Sequence, residues 1–162
     1  MPGNKRPTKR HRPRVFTGQG SLTDYVVAGT KPAPATAQTS LGILVHDAMY
    51  HLVRGQGTAD NWGAVRDALA VTLALCRMGV GKCHVGDVEL ARTAHERCGQ
   101  RKAQAGNYGY AIQELEAVNF GLEIHTEQLA TTTVANMEKA INEAAALIDR
   151  ERAAQQHPLE KQ

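Results

Sequence analysis

The chain has 162 residues, of which 42% are hydrophobic but only 4% aromatic, and a formal charge of +3. That length suits one domain, or one domain with a tail. No apolar run reaches the ~18–20 residues of a membrane span, Met1 to Arg14 has no apolar core of a secretory signal, and three cysteines give no disulfide framework; a soluble cytoplasmic protein is expected.

The charge is unevenly divided. Met1–Arg14 carries Lys5, Arg6, Lys9, Arg10, Arg12 and Arg14 with no carboxylate, whereas the rest of the chain has 13 Lys/Arg against 16 Asp/Glu. Pro2, Pro7 and Pro13 oppose helix there, and like charges oppose compaction. The expectation is an extended, disordered basic arm that lies along phosphates. It has no aromatic before Phe16, so its binding should be electrostatic and nearly blind to sequence. The other reading is a solvated tail, or one that meets an acidic protein. Residues 15–30 fit an extended segment or short hairpin. Gly29, Pro32 and Pro34 with Ala33, Ala35 and Ala37 read as linker, so 1–37 is arm and linker and the compact domain begins near residue 38.

From Thr39 the apolar period is helical. Twenty-four alanines favour helix over strand. Thr39 or Ser40 is the expected cap of a first helix with Leu41, Leu44, Val45, Ala48, Met49, Leu52 and Val53 in one stripe. Asp60 should cap a second helix, with Trp62, Val65, Leu69, Leu73 and Cys76 at three-four spacing. A third is expected from Asp87 to about Gln104, with Val88, Ala91, Ala94, His95 and Cys98 on one side. The fourth holds Ile112, Leu115, Val118, Leu122 and Leu129. Thr132 or Thr133 should cap the fifth, which carries Val134, Met137, Ala140, Ile141, Ala144 and Ile148. Pro158 limits it, leaving 158–162 as a frayed tail. The fold class is therefore all-α: an antiparallel bundle of about five helices over 38–157. The thin stripes suggest that part of an apolar face is shared with a second copy, as in a homodimer.

Three constellations in the sequence bear on chemistry. Met78–Val88 resembles the turn and second helix of phage-repressor domains, with Gly79, Val80, Val85 and Val88 in the required places. Leu75 is too large for the helix contact, and Gly86 and Asp87 suit a reading helix badly, so a plain helix–loop–helix is expected. Cys83, His84, His95 and Cys98 contain ligand types, but one helix would separate the pairs by about 16 Å; no metal is expected. No nucleophile elbow, phosphate loop or metalloprotease motif is present, so no catalytic residue, no cofactor and no enzyme activity are expected. Glu114, Glu116, Glu123 and Glu127 read as a solvated face.

The Lys-Arg-His-Arg-Pro-Arg type of opening within positions 5–14, the light helical body, and Glu127-Gln128-Leu129-Ala130-Thr131 followed by Met137-Glu138-Lys139-Ala140 resemble small helical accessory proteins of proteobacterial phages and mobile elements. That group implies no defined activity, and no site residues carry over. The functional expectation is a non-enzymatic accessory protein contacting nucleic acid through its arm. The alternative is a protein–protein module, an inhibitor or adaptor of a host or defence protein, using a face of the bundle. Tyr50, Trp62, Tyr108, Tyr110 and Phe120 clustered outside would favour the alternative.

Overall fold

A computed structural model describes residues 29–32 and 34–156. Five α-helices account for most of them: α1 Ala35–Val53, α2 Ala59–Arg77, α3 Val85–Ala105, α4 Ile112–Thr131 and α5 Val134–Gln156, with a 3₁₀ turn Lys82–His84 between α2 and α3. The described residues contain no strand, only an isolated bridge between Pro32 and Thr133. The cations of the arm, residues 15–28 and the tail with Pro158 lie outside the described residues.

The second helix is the axis of the bundle. Each of the other four helices packs on it. From Ala68 to Cys76 every α2 residue except Val71 is buried. A helix buried on all sides must be apolar on all sides, and Ala68-Leu69-Ala70 and Leu73-Ala74-Leu75-Cys76 meet that demand. The alanines allow close approach. At Gly121 a Cβ would lie 2.8 Å from both Ala91 Cβ and Leu69 Cδ2, so α4 meets α2 and α3 there through a bare backbone.

Consecutive helices run antiparallel. Trp62 meets His95 and Arg77 meets Glu89 across α2 and α3. Leu69 meets Gly121, Thr72 meets His125, and Cys76 meets Gln128, so α4 runs parallel to α2.

Several helix ends differ from expectation. α1 starts at Ala35, inside the presumed linker. Pro34, with its φ of −54° already close to the helical value, accepts from the amides of Ala37 and Gln38. Thr39 and Ser40 cap nothing; their hydroxyls bond the carbonyls of Ala35 and Thr36. Lys31 also belongs to the fold, since its carbonyl accepts from Val134 N at 2.9 Å. Thr58, not Asp60, caps α2 through a reciprocal box with Asn61. α3 begins two residues before Asp87. Gly79 and Gly81, at φ of 102° and 77°, make the tight α2–α3 connection. Thr133 caps α5 as expected, its hydroxyl accepting from Asn136 N.

The stripes also need correction. Leu41, Leu44 and Val53 of α1 and Ile141 of α5 are exposed. Three-four spacing places apolar side chains on one side of a helix, but does not supply a neighbour along its whole length.

Candidate functional site

The six arm cations, Lys5, Arg6, Lys9, Arg10, Arg12 and Arg14, lie outside the described residues, so the geometry concerns the bundle. Its most connected polar cluster joins α2, α3 and the α3–α4 loop. His95 Nε2 is 2.9 Å from the carbonyl of Trp62, and Nδ1 is 2.6 Å from the Tyr110 hydroxyl. A carbonyl only accepts, so Nε2 carries the proton and the Tyr110 hydroxyl donates to Nδ1. The imidazole stacks on the Trp62 indole at 5.2 Å, and the Tyr110 ring lies 6.0 Å from it, inclined by 26°. Burial lowers its pKa to about 4, so it is neutral at pH 7. Burial also raises the Cys98 thiol and the Tyr110 phenol. A neutral histidine with both nitrogens occupied, beside a thiol held protonated, is a structural clasp with no free base or nucleophile.

Beside it, Arg101 grips Glu114 through two bonds of 2.6 and 2.8 Å and also donates to Gly109 O. Glu114 closes the start of α4 by accepting from Ala111 N. Glu114 is thus buried and clamped, not part of a solvated face; only Glu116, Glu123 and Glu127 face water. Arg101 holds the Glu114 carboxyl below the usual carboxylate range.

A second buried histidine, His125, sits against Thr72 at 3.0 Å. The Thr72 hydroxyl already donates to Ala68 O, so His125 Nδ1 donates to it. Burial, with His46 nearby, lowers the His125 pKa to about 4. Gln128 Nε2 donates to Val80 O at 2.8 Å and tethers the α2–α3 turn to α4.

The structure does not bring Cys83, His84, His95 and Cys98 together. His84 pairs with Asp87 at the start of α3, Cys83 is exposed, and His95 and Cys98 face the Tyr110 loop. No group of three or more His, Cys, Asp or Glu side chains among the described residues is placed to share a metal. The repressor-like geometry fails as well. Helix-turn-helix elements cross steeply and touch near the turn. Here α2 and α3, running in opposite directions, touch again at Trp62–His95, far along α2 from the turn that Arg77–Glu89 flanks, so their contact is not confined to the turn.

The surface is more distinctive than the interior. Of the expected aromatics, Tyr108 is buried, and Trp62 and Tyr110 pack against the core, while Tyr50 and Phe120 are exposed on different helices. The exposed large apolar side chains concentrate on α1: Leu41, Ile43, Leu44, Tyr50 and Val53, with Ile43 and Leu44 each 63% exposed. A cleft of about 460 Å³ runs between α1 and α4, walled by His46, Met49, Tyr50, Val53 and Arg54 against Leu115 and Asn119, with the Arg54 guanidinium over the Tyr50 ring. The sequence pattern puts Leu41, Leu44 and Val53 in a core stripe, yet all three are exposed. The signal it missed is the near absence of charge, since Asp47 is the sole Asp, Glu, Lys or Arg in α1. No described helix is long and apolar enough to cross a membrane. Comparison with known protein families, curated proteins and solved structures returns no match.

Proposed function

We propose that this is a non-enzymatic accessory protein of the cytoplasm that contacts nucleic acid through Lys5, Arg6, Lys9, Arg10, Arg12 and Arg14. The observation that carries this reading is the charge division, six cations without an acid in the first fourteen residues against a net negative remainder. The acidic body disfavours phosphate, so the arm alone supplies attraction. The bundle serves as a platform that joins copies and so gathers arms on one nucleic acid. The resemblance to phage and mobile-element accessory proteins is compatible with that role.

One observation favours a second reading, a protein–protein module: the apolar exposure of α1. The aromatic cluster expected of such a face is missing, since three of the five aromatics turn inward. The test is fluorescence anisotropy with unrelated duplexes and single strands, using the full chain and a full-length variant with the six cations changed to Gln. Binding lost in the variant supports the arm. Equal binding moves the site to the body. No binding by either at low salt leaves the protein–protein reading.

A further inference from the structure

We propose that residues 157–162, which follow α5 and lie outside the described residues, turn back into the groove between α3 and α5, with Leu159 on its Trp62 wall and Lys161 on the Glu96 carboxylate. The inference is independent of the nucleic-acid reading, and its test uses no nucleic acid.

α3 and α5 both pack on α2 and leave a groove between them. Toward the end where α5 stops, a cleft of about 450 Å³ has Trp62, Glu96, Gly99, Ala103, Tyr108 and Gln155 in its walls. An adjoining cleft of about 360 Å³ shares Glu96 and Gln155 with it. A Cβ at Gly99 would stand 3.0 Å from the Trp62 indole, so the bare backbone of α3 lets the indole lie against it as an apolar wall. Glu96 is the unmatched charge of the groove. Its side chain is half-buried, and the two guanidinium groups that act on it are engaged elsewhere: Arg92 donates twice to Glu151, and Arg66 donates twice to Asp67. Among the described residues no hydrogen bond or ion pair reaches the Glu96 carboxylate. Burial, and then the nearby Glu151, push its pKa up, an effect that a cation beside it would oppose.

The chain supplies the occupant. Gln155 lines both clefts and Gln156 is the last residue of α5, so residues 157–162 start at the mouth of the groove. Pro158 has no amide donor and biases His157 away from helix, so the chain turns out of α5 there. Side chains two apart in extended backbone share a side. Leu159 and Lys161 therefore face one way and Glu160 the other. One apolar and one cationic side chain match a groove with one apolar wall and one unmatched carboxylate. The order also fits, because a chain returning along α3 from Ala103 to Glu96 meets the wall first. Reach suffices: Leu159 can lie up to about 10 Å from Gln156 and Lys161 up to about 17 Å, against roughly 10 Å along α3 from Ala103 to Glu96. The basic arm has the cations but no aliphatic side chain among residues 2–14 apart from its prolines, so it lacks the apolar half of the match.

Trp62 is the single tryptophan and lines the groove, so acrylamide quenching of its emission in the full chain reports the cover directly. Leu159→Asp should raise the quenching constant about 1.5-fold, as expected when a segment tethered at millimolar effective concentration covers the wall for about half of the time. Lys161→Glu should raise it similarly, and Lys161→Glu combined with Glu96→Lys should return it to the original value. Glu160→Gln, on the side facing away from the groove, should change nothing. Circular dichroism should give the same helix signal for every variant. Quenching unaltered by Leu159→Asp would overturn the proposal. So would a charge swap that restores nothing, or a Glu160→Gln variant as exposed as Lys161→Glu.

Discussion

Trp62 and His95 hold each other by reciprocal bonds, the His95 ring donating to the Trp62 carbonyl and the Trp62 indole donating to the His95 carbonyl. The two rings stack between those bonds at an interplanar angle of 12°. Gly99 lies one turn further along α3, where a Cβ would stand 3.0 Å from the indole. The clasp thus fixes α2 against α3 near the end of the hairpin far from its turn. It needs a neutral imidazole, because Nδ1 must accept from Tyr110.

The first prediction is a loss of stability in mild acid. His95 and His125 both have pKa values lowered to about 4 in the fold, against 6.5 for a free histidine. The unfolded chain therefore binds more protons between these values. Stability should be fully present above pH 6.5 and fall as the pH drops toward 4, by on the order of 3 kcal/mol per histidine at most. Glu114, whose pKa is lowered by Arg101, adds loss in the same direction at the acid end. Urea melts followed by the single tryptophan, Trp62, check this from pH 8 to 4. A midpoint unchanged from pH 7 to 4.5 would refute it.

The second concerns the Arg101–Glu114 clamp. Glu114→Ala removes two bonds from Arg101 and the acceptor for Ala111 N. Breaking a buried pair costs about 3–5 kcal/mol, but Arg101 is 38% exposed and water recovers part of that. A loss of about 2 kcal/mol is expected, and about 1 kcal/mol for Glu114→Gln, which keeps an acceptor. Thermal melts distinguish the two variants.

The third concerns Gly121. In an open helix, Gly→Ala gains about 1 kcal/mol. At 121 the new methyl meets Ala91 Cβ and Leu69 Cδ2 at 2.8 Å, and Ala91 has no rotamer with which to retreat. Overpacking of this kind costs about 1–3 kcal/mol, so Gly121→Ala should destabilise. Ala91→Gly in the same chain should restore part of the loss, giving a coupling above about 0.5 kcal/mol in a double-mutant cycle. Gly63→Ala, with open space around it, should instead stabilise.

These sites also mark what the sequence reveals. Five helices were legible because three-four spacing and glycine breaks are local signals. Thr133 was legible as a cap for the same reason. The central place of α2 was not, because its inventory of apolar residues has to be compared with those of all its neighbours. Leu41 and Leu44 carry the same pattern as Leu52, yet only Leu52 is buried. Glu114 looked like Glu116 and Glu123 because its partner Arg101 sits on another helix. Pairings across helices are set by packing, and a single chain's periodicity does not report them.

The last prediction concerns the arm. If Lys5, Arg6, Lys9, Arg10, Arg12 and Arg14 each neutralise one phosphate, the slope of log affinity against log salt on duplex DNA approaches −0.9 for each contact, or roughly −5 per arm. A dimer that lays both arms on one duplex approaches twice that value. Preference among unrelated duplexes should be slight, because phosphate contacts position a protein without reading bases. Changing the six cations to Gln should flatten the slope and leave the helix signal and the association state unchanged, since none of the six is part of the described bundle. A steep slope that survives this change would place the phosphate contacts on the helices, where Arg97 and Lys102 of α3 are the first exposed cations to test.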